Sequence, residues 1–197
     1  MYENKIITEP KWKSWIVQTT TPLFTPDQCN QIIASGRAQK PQTAQVGMNK
    51  PGGGTDTKKR VTTISWIPFQ EMGHMYQDLN SFIQKANENH FGFGDIQVTE
   101  NAQFTEYPEG GFYDWHMDCD VNMEHEPPVR KISMTVLLND PSEFEGGHLE
   151  LMAPGKFAEL KQGHAIIFAS FLNHRVNPVT RGMRQSLVVW FGGKAFR

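Results

Sequence analysis

Hydrophobic residues in the first half of the chain recur at helical spacing in two segments. The first begins at Thr25-Pro26-Asp27, where an N-cap hydroxyl, a proline and a first-turn acid predict a helix running to about Ala38. The second spans residues 69–89 and is the longest predicted helix. Its apolar positions form one stripe: Met72, Met75, Tyr76, Leu79, Phe82, Ile83 and Ala86. Both helices are therefore expected to pack one face against a core.

From about Phe93 onward the pattern changes to short β-rich segments separated by Gly, Pro, Asn and Asp. The predicted strands are Gln97–Val98, Ala102–Tyr107, Tyr113–Met117, Lys131–Leu138, His148–Met152, Ala165–Phe168, Arg175–Asn177 and Gln185–Phe191. Many short strands with turn signals are typical of a sandwich or barrel. We expect a mainly β fold with the two helices packed on one outer face. A single domain over residues 1–197 accounts for this pattern, with N-terminal helices and support strands in 1–92 and the β-rich core in 93–197.

Two more predicted strands, residues 42–48 and the segment "RVTTISWIP", flank the stretch "NKPGGGTDTKKR" at residues 49–60. Its three consecutive glycines predict a flexible loop. The basic residues that end it, Lys58, Lys59 and Arg60, are expected to be solvated. Two interpretations of this loop stay open: a hairpin tip without a function, or a mobile lid over a substrate.

Composition and charge narrow the function classes. The chain has 197 residues, of which 38% are hydrophobic and 20% charged, which is an ordinary globular composition. A net charge of −2 argues against nucleic-acid binding by bulk electrostatics. Two cysteines far apart in sequence do not form a disulfide framework and fit a reducing compartment. No signal peptide or membrane span is evident, so the expected location is the cytoplasm.

A histidine and an acid stand at alternate positions in an aromatic run, as His116 and Asp118 of "FYDWHMDCD". On a β-strand this spacing points both side chains to one face, where an imidazole and a carboxylate can hold a metal. A third ligand must come from a distant strand, and His174, just after the strand "AIIFAS", is the best candidate. Two His and one carboxylate leave part of the metal open, which suits non-haem Fe(II) that activates dioxygen. A structural zinc site would instead be closed by four protein ligands.

Arg184 and Ser186 open the last predicted strand and share one of its faces. The arginine supplies a permanently charged fork for a carboxylate, and the serine adds a hydroxyl donor beside it. A small dicarboxylate could bind the metal at one end and Arg184 at the other. This is what a 2-oxoglutarate co-substrate requires.

These motifs resemble those of Fe(II)/2-oxoglutarate-dependent dioxygenases of the prolyl 4-hydroxylase-like superfamily, and the chain is similar to PKHD-type hydroxylases. The matching stretches are "HMD" at 116–118, "HRVNPVTRGMRQS" at 174–186, "EFEGGHLEL" at 143–151 and the run "QFTEYPEGGFYDWH". An HxD pair alone is a weak signal, whereas HxD followed by His, Arg ten residues later and Ser two further on is a strong one. The resemblance covers about residues 100–192 and implies a double-stranded β-helix, or jelly-roll, barrel.

The resemblance also implies roles for individual residues. His116, Asp118 and His174 would bind Fe(II), and Arg184 with Ser186 would bind the distal carboxylate of 2-oxoglutarate. Tyr107 matches a strand tyrosine that hydrogen-bonds this co-substrate in similar enzymes. The keto acid and O2 would react to release succinate and CO2 as the substrate is hydroxylated, with ascorbate as a possible further cofactor. The carboxylate of Asp118 favours hydroxylation over halogenation, because related halogenases lack it.

The substrate is less constrained. The leading interpretation is a peptidyl, prolyl-type substrate in a protein or peptide, because the loop at 49–60 falls where related hydroxylases close over a peptide. The alternatives are the same chemistry on a free amino acid or other small molecule, and a non-catalytic jelly-roll binding protein with a vestigial metal site. Trp190 stands where nucleic-acid demethylase relatives carry a second arginine, which disfavours a nucleobase substrate.

Overall fold

The strands of the computed structural model account for most of the residues around the candidate site. The structure describes residues 14–43, 58–119, 128–153 and 159–194. In chain order the strands are β1 (Ile16–Gln18), β2 (Gln42–Thr43), β3 (Arg60–Val61), β4 (Thr63–Ile67), β5 (Gln97–Val98), β6 (Ala102–Tyr107), β7 (Phe112–His116), β8 (Val129–Leu137), β9 (Phe144–Gly146), β10 (Leu149–Leu151), β11 (Ala165–Ala169), β12 (His174–Val176), β13 (Val179–Gly182) and β14 (Arg184–Gly193).

Two α-helices precede most of these strands. Helix α1 (Pro26–Ala38) begins with a capping box, in which the Thr25 hydroxyl accepts from the Gln28 amide and the Gln28 side chain accepts from the Thr25 amide. Helix α2 (Gly73–Ala86) continues into a π-helical turn, Asn87–Phe91. The sequence therefore predicts α1 closely. The predicted start of α2 at residue 69 is wrong by four residues.

The late start of α2 has a local cause. The Glu71 amide donates to the Pro68 carbonyl at 3.1 Å, which closes a turn after β4 before the helix can begin. At its other end the helix extends beyond the predicted residue 89 through the π-helical turn. Gly92 ends it with φ of 75° and donates its amide to Asn87 at 2.7 Å.

Three antiparallel sheets are formed by the described strands. The large sheet has eight strands in the order β1-β11-β8-β14-β6-β4-β2, with β5 pairing β14. The small sheet has four strands in the order β10-β12-β7-β3, and β13 pairs β9 in a separate ribbon. This is the predicted mainly β architecture with helices on one face. The pairing of β9 with β13 was not predicted, because residues 177–182 contain Pro and Gly turn signals.

The helices pack on one face of the large sheet, where a single apolar cluster joins them to it. Along β6 the residues alternate between this face and the other, with Ala102 and Phe104 in the apolar cluster. A Cβ on Gly36 of α1 would lie 2.3 Å from the Phe104 ring, so the helix needs glycine there to approach the sheet. The intervening positions of β6 are left for the other face of the sheet.

Two predictions fall partly outside the described residues. Of the strand at 42–48 the structure describes only β2, and of the loop at 49–60 it describes only residues 58–60. The expectation that Arg60 is solvated is wrong, because this residue lies in β3 and is only 9% exposed. In the part of the chain that is described, no helix is long and apolar enough to span a membrane. The single-domain organisation over residues 1–197 stays a prediction.

Candidate metal centre

The two predicted histidine ligands face each other across the small sheet. His116 is the last residue of β7 and His174 the first residue of β12, and the two are paired in the antiparallel register. Their ring centroids are 4.1 Å apart. Ligand atoms of His116, Asp118 and His174 all lie within 4.8 Å of one another. Residues separated by more than fifty positions therefore converge as the sequence predicts.

Asp118 reaches this cluster differently from the expectation that it shares a strand with His116. Strand β7 ends at His116, and Asp118 lies two residues beyond it in a bend. The amides of Asp118 and Cys119 both donate to the Ser170 carbonyl at 3.0 Å. The Ser133 hydroxyl donates to Oδ2 of Asp118 at 2.7 Å. The carboxylate is thus positioned by contacts to a distant turn and to β8, not by strand alternation.

Each histidine ring is oriented by a backbone carbonyl. His116 Nδ1 lies 2.8 Å from the Asp114 carbonyl, and His174 Nδ1 lies 3.0 Å from the Leu172 carbonyl. Because a carbonyl only accepts, each Nδ1 carries a proton, and the lone pair of the neutral ring is then on Nε2. The Nε2 atoms lie 3.7 and 3.6 Å from the two carboxylate oxygens of Asp118. Both lone pairs are therefore available to one cation.

The electrostatics of the cluster keep its donors in the metal-binding form. Burial, together with the nearby His174, lowers the pKa of His116 to about 4, so its imidazole is neutral at physiological pH. Burial alone would raise the pKa of Asp118. The imidazoles of His174 and His116 and the guanidinium of Arg130 outweigh that effect and lower the pKa to about 2. The carboxylate is accordingly ionised.

Arg184, Ser186 and Tyr107 meet on the large sheet. Arg184 is 3% exposed, and its Nη1 donates to the Ser186 hydroxyl at 3.1 Å. Tyr107 pairs with Arg184 across β6 and β14, and the guanidinium lies 5.6 Å from the centre of its ring. Burial lowers the pKa of Arg184, but an arginine remains charged at physiological pH. Among the described residues no carboxylate forms an ion pair with this guanidinium.

The glycine pair of the "EFEGGHLEL" motif shapes the surroundings of Arg184. Gly146 and Gly147 have φ of +75° and +64°, a conformation that other residues rarely adopt. A Cβ on Gly147 would lie 2.9 Å from Cδ of Arg184, so the chain can cross the arginine stem only with glycine there. Beside it is a cavity of about 600 Å³, whose lining includes Arg184, Leu149 and Ile166.

Comparison with known proteins shows which family the chain belongs to. The family model of the 2OG-Fe(II) oxygenase superfamily matches residues 102–192, which contain all the predicted site residues. A PKHD-type hydroxylase of Colwellia psychrerythraea is 42% identical over 171 residues, covering 84% of this chain and 75% of that protein. The chain belongs to the PKHD-type hydroxylase family. Matches to PKHD-type hydroxylases of Acidovorax ebreus (33% identical) and Xylella fastidiosa (39%) each cover 45% of this chain. They span only 41% and 42% of the relatives' own lengths.

Solved structures share the fold of this PKHD-type chain. A Pseudomonas putida prolyl-4-hydroxylase matches with a TM-score of 0.64 at 22% identity, covering 91% of this chain and 92% of that one. A viral collagen prolyl hydroxylase from Paramecium bursaria Chlorella virus-1, solved as a 2OG complex, matches at 0.69 and 16%, covering 90% and 96%. A Trichoplax adhaerens prolyl hydroxylase, solved with a hypoxia inducible factor peptide fragment, matches at 0.64 and 19%, covering 91% and 84%. These likenesses support the jelly-roll fold.

Sequence reasoning missed two residues beside the metal ligands of this PKHD-type hydroxylase. The Tyr113 ring stacks on His116 with centroids 3.5 Å apart, because a register shift in β7 turns both side chains to the same side. Arg60 lies over the other face of Tyr113 at 4.3 Å, and its Nη2 donates to Gln103 at 3.0 Å. Nε of Arg60 is buried and has no hydrogen-bond partner among the residues that the structure describes. The sequence did not indicate this burial, because Arg60 ends a run of basic residues that predicts exposure to solvent.

The donor set fits the Fe(II) that the family name implies. Two imidazoles and one carboxylate form the facial set of non-haem Fe(II) oxygenases. No further His, Cys, Asp or Glu joins the group within the described ranges, so these residues leave coordination positions for other ligands. Cys119, the residue after Asp118, is buried.

Proposed function

We propose that this chain is an Fe(II)- and 2-oxoglutarate-dependent hydroxylase. His116, Asp118 and His174 would hold the metal, and Arg184 with Ser186 and Tyr107 would hold the co-substrate. When bound, Fe(II) and 2-oxoglutarate supply the oxidation by O2 that hydroxylates a substrate carbon, with succinate and CO2 as products. The observation that carries the proposal is the combination of an open three-donor cluster with a buried arginine that has no acidic partner among the described residues.

Each protein group has a separate task in this proposal. The carbonyls that hold Nδ1 of His116 and His174 keep both Nε2 lone pairs directed at the metal. Asp118 neutralises part of the metal charge. Arg184 stabilises the distal carboxylate of 2-oxoglutarate by charge-assisted hydrogen bonds and fixes its orientation. Because Arg184 is already buried, much of the cost of removing its guanidinium from water is met when the chain folds, so the arginine is preorganised for the co-substrate.

A peptidyl, prolyl-type substrate is the version that we favour. Three apolar side chains near the histidines in the chain or through a backbone hydrogen bond are exposed. Trp115 (38% exposed) and Met117 (43%) flank His116 in sequence, and Met152 (61%) donates its amide to the carbonyl of Asn173, the residue before His174. Trp and Met are enriched at protein interfaces, and exposed apolar clusters are typical of docking surfaces. The relatives with prolyl hydroxylase names, one solved with a peptide, point the same way.

The metal and co-substrate roles are tested by anaerobic titration of the apo protein with Fe(II) and then 2-oxoglutarate. We expect the visible absorption band of a metal-chelated keto acid. His174→Ala should abolish the band, and Arg184→Ala should require far more 2-oxoglutarate to reach it. His164→Ala and Arg181→Ala are matched controls, because His164 bonds a distant carbonyl and Arg181 pairs with Glu145 on the surface. A band that survives His174→Ala, or no band in the wild type, would contradict the proposal.

The substrate class is tested by mass spectrometry of a proline-containing peptide and of free L-proline after aerobic turnover, with ascorbate added. We expect oxygen to be incorporated into the peptide. Met152→Ser should reduce this incorporation but leave succinate formation in the absence of peptide unchanged. Oxygen incorporation only into free proline would favour the small-molecule alternative.

The cytoplasm stays the predicted location.

A further inference from the structure

Two serines form a buried hydrogen-bond chain behind the carboxylate of Asp118. The Ser133 hydroxyl donates to Oδ2 of Asp118 at 2.7 Å, and the hydroxyls of Ser133 and Ser170 lie 2.9 Å apart. Both serines have zero exposed surface. Ser133 lies on β8 of the large sheet, and Ser170 in the turn between β11 and His174. Nothing in the sequence pattern distinguishes either serine from an ordinary small residue.

The direction of the chain follows from the number of hydrogens. A carboxylate that binds a metal is ionised and can only accept, so Ser133 must donate its one hydroxyl hydrogen to Asp118. Ser133 therefore has only lone pairs left for Ser170, and Ser170 must donate to it. Donation by Ser170 makes the Ser133 hydroxyl a stronger donor, because hydrogen bonds in series polarise one another.

The turn that contains Ser170 also contacts Asp118 and His174. The Ser170 carbonyl accepts from the amides of Asp118 and Cys119, each at 3.0 Å. Two residues later the Leu172 carbonyl holds Nδ1 of His174 at 3.0 Å. The same short turn thus sets the backbone of Asp118, the ring of His174 and, through Ser133, the carboxylate.

We propose that Ser170 and Ser133 are positioning residues for the metal, in which a one-way chain Ser170→Ser133→Asp118 holds the carboxylate in its metal-binding rotamer. The proposal rests on the function proposed above only in assigning Asp118 as a ligand. Asp118 extends from a bend, and without the chain its carboxylate can rotate away from the two Nε2 atoms. Outer hydrogen bonds of this kind typically change metal affinity by about 10- to 100-fold.

The test uses Mn(II) as the probe, without 2-oxoglutarate or turnover, and measures its affinity for the full chain by electron paramagnetic resonance. Ser133→Ala should weaken Mn(II) binding by about 10-fold or more, and Ser170→Ala by less. Ser133→Thr keeps the hydroxyl and should recover part of the affinity. Ser65→Ala is the matched control, since this buried hydroxyl donates to the Gly36 carbonyl away from the site. Thermal melting of the apo proteins identifies any variant that fails to fold.

The direction of the chain is tested by the double variant. If Ser170 acts only through Ser133, Ser170→Ala should weaken Mn(II) binding in the wild type but have no additional effect in Ser133→Ala. Additive effects would overturn the one-way chain. Wild-type affinity in Ser133→Ala, or an equal loss in Ser65→Ala, would overturn the positioning role. Tight Mn(II) binding without the keto-acid band would count against the proposed function and leave this inference intact.

Discussion

The large and small sheets contribute different halves of the candidate site and are built differently. In the large sheet every residue of β11 is buried, and so are nine of the ten residues of β14. In the small sheet no residue of β7 or β10 is buried. Arg184, Ser186 and Tyr107 stand on the first sheet, whereas His116 and His174 stand on the second. The co-substrate half is therefore supported by the core, and the metal half depends on local hydrogen bonds and on the metal.

The two sheets differ in the interactions that stabilise them. Helices α1 and α2 bury the outer face of the large sheet, so its free energy of unfolding derives from apolar burial. Fewer residues of the small sheet are buried, although Leu149 and Leu151 of β10 pack against the same apolar cluster. Its two histidines and Asp118 should be stabilised further when they bind a shared cation. We therefore expect metal binding to contribute more to the local stability of the small sheet than to that of the large sheet.

The largest expected effect compares one aromatic residue from each sheet. Phe104→Ala removes a ring that is 2% exposed, and we expect a loss of about 3–5 kcal/mol in the free energy of unfolding. Trp115→Ala removes a larger ring that is 38% exposed and should cost about 1 kcal/mol or less. Denaturant titration of the apo proteins measures both. Equal losses would remove the contrast between the sheets.

The next effect concerns local stability. Saturating Mn(II) at 100 times its dissociation constant stabilises a native site by about 2.7 kcal/mol. We expect this to increase amide protection in β7 and β12, with little change in β8 and β14. Hydrogen exchange with and without the metal measures it, and His174→Ala is the control that should abolish the difference. Uniform protection of both sheets would contradict the independence of the metal half.

A third prediction addresses the co-substrate half. Arg184→Gln removes the charge that would bind the distal carboxylate of 2-oxoglutarate, and we expect about 2 kcal/mol, or about 30-fold, weaker 2-oxoglutarate binding. Mn(II) affinity measured alone should be unchanged, because the arginine lies on the other sheet. Arg181→Gln, a surface control, should change neither quantity. A matching loss of Mn(II) affinity in Arg184→Gln would show that the two halves are coupled.

The last prediction concerns the response of the metal-free protein to acid. The pKa of His116 is about 4 in the folded chain and ordinarily 6.5, so between these values the unfolded chain binds a proton that the folded chain does not. Stability therefore falls as the pH is lowered from 6.5 to 4, and this loss is complete below about pH 4. Denaturation midpoints at several pH values measure it. His116→Gln should flatten this part of the profile, and an unchanged slope would contradict the burial of a neutral imidazole.

Much of the fold and most of the candidate site were predictable from the sequence. Helix α1 has local signals, a capping box and a proline, that tertiary contacts did not override. The pair "HMD" with His174, Arg184 and Ser186 could be proposed from residue chemistry and spacing alone. The β9–β13 ribbon and the burial of Arg60 could not, because each depends on a contact with a segment far away in the chain.

Asp118 shows most clearly what was left to the tertiary structure. The chain by itself determined which residues carry the donors, because His, Asp and Arg are the side chains whose lone pairs and charge suit Fe(II) and a dicarboxylate. Only the fold decided how they meet: through a register shift in β7, a turn at Ser170 and a hydroxyl on β8. The physical reason is that residue chemistry is local, whereas the position of a side chain in space depends on hydrogen bonds between segments that are distant in sequence.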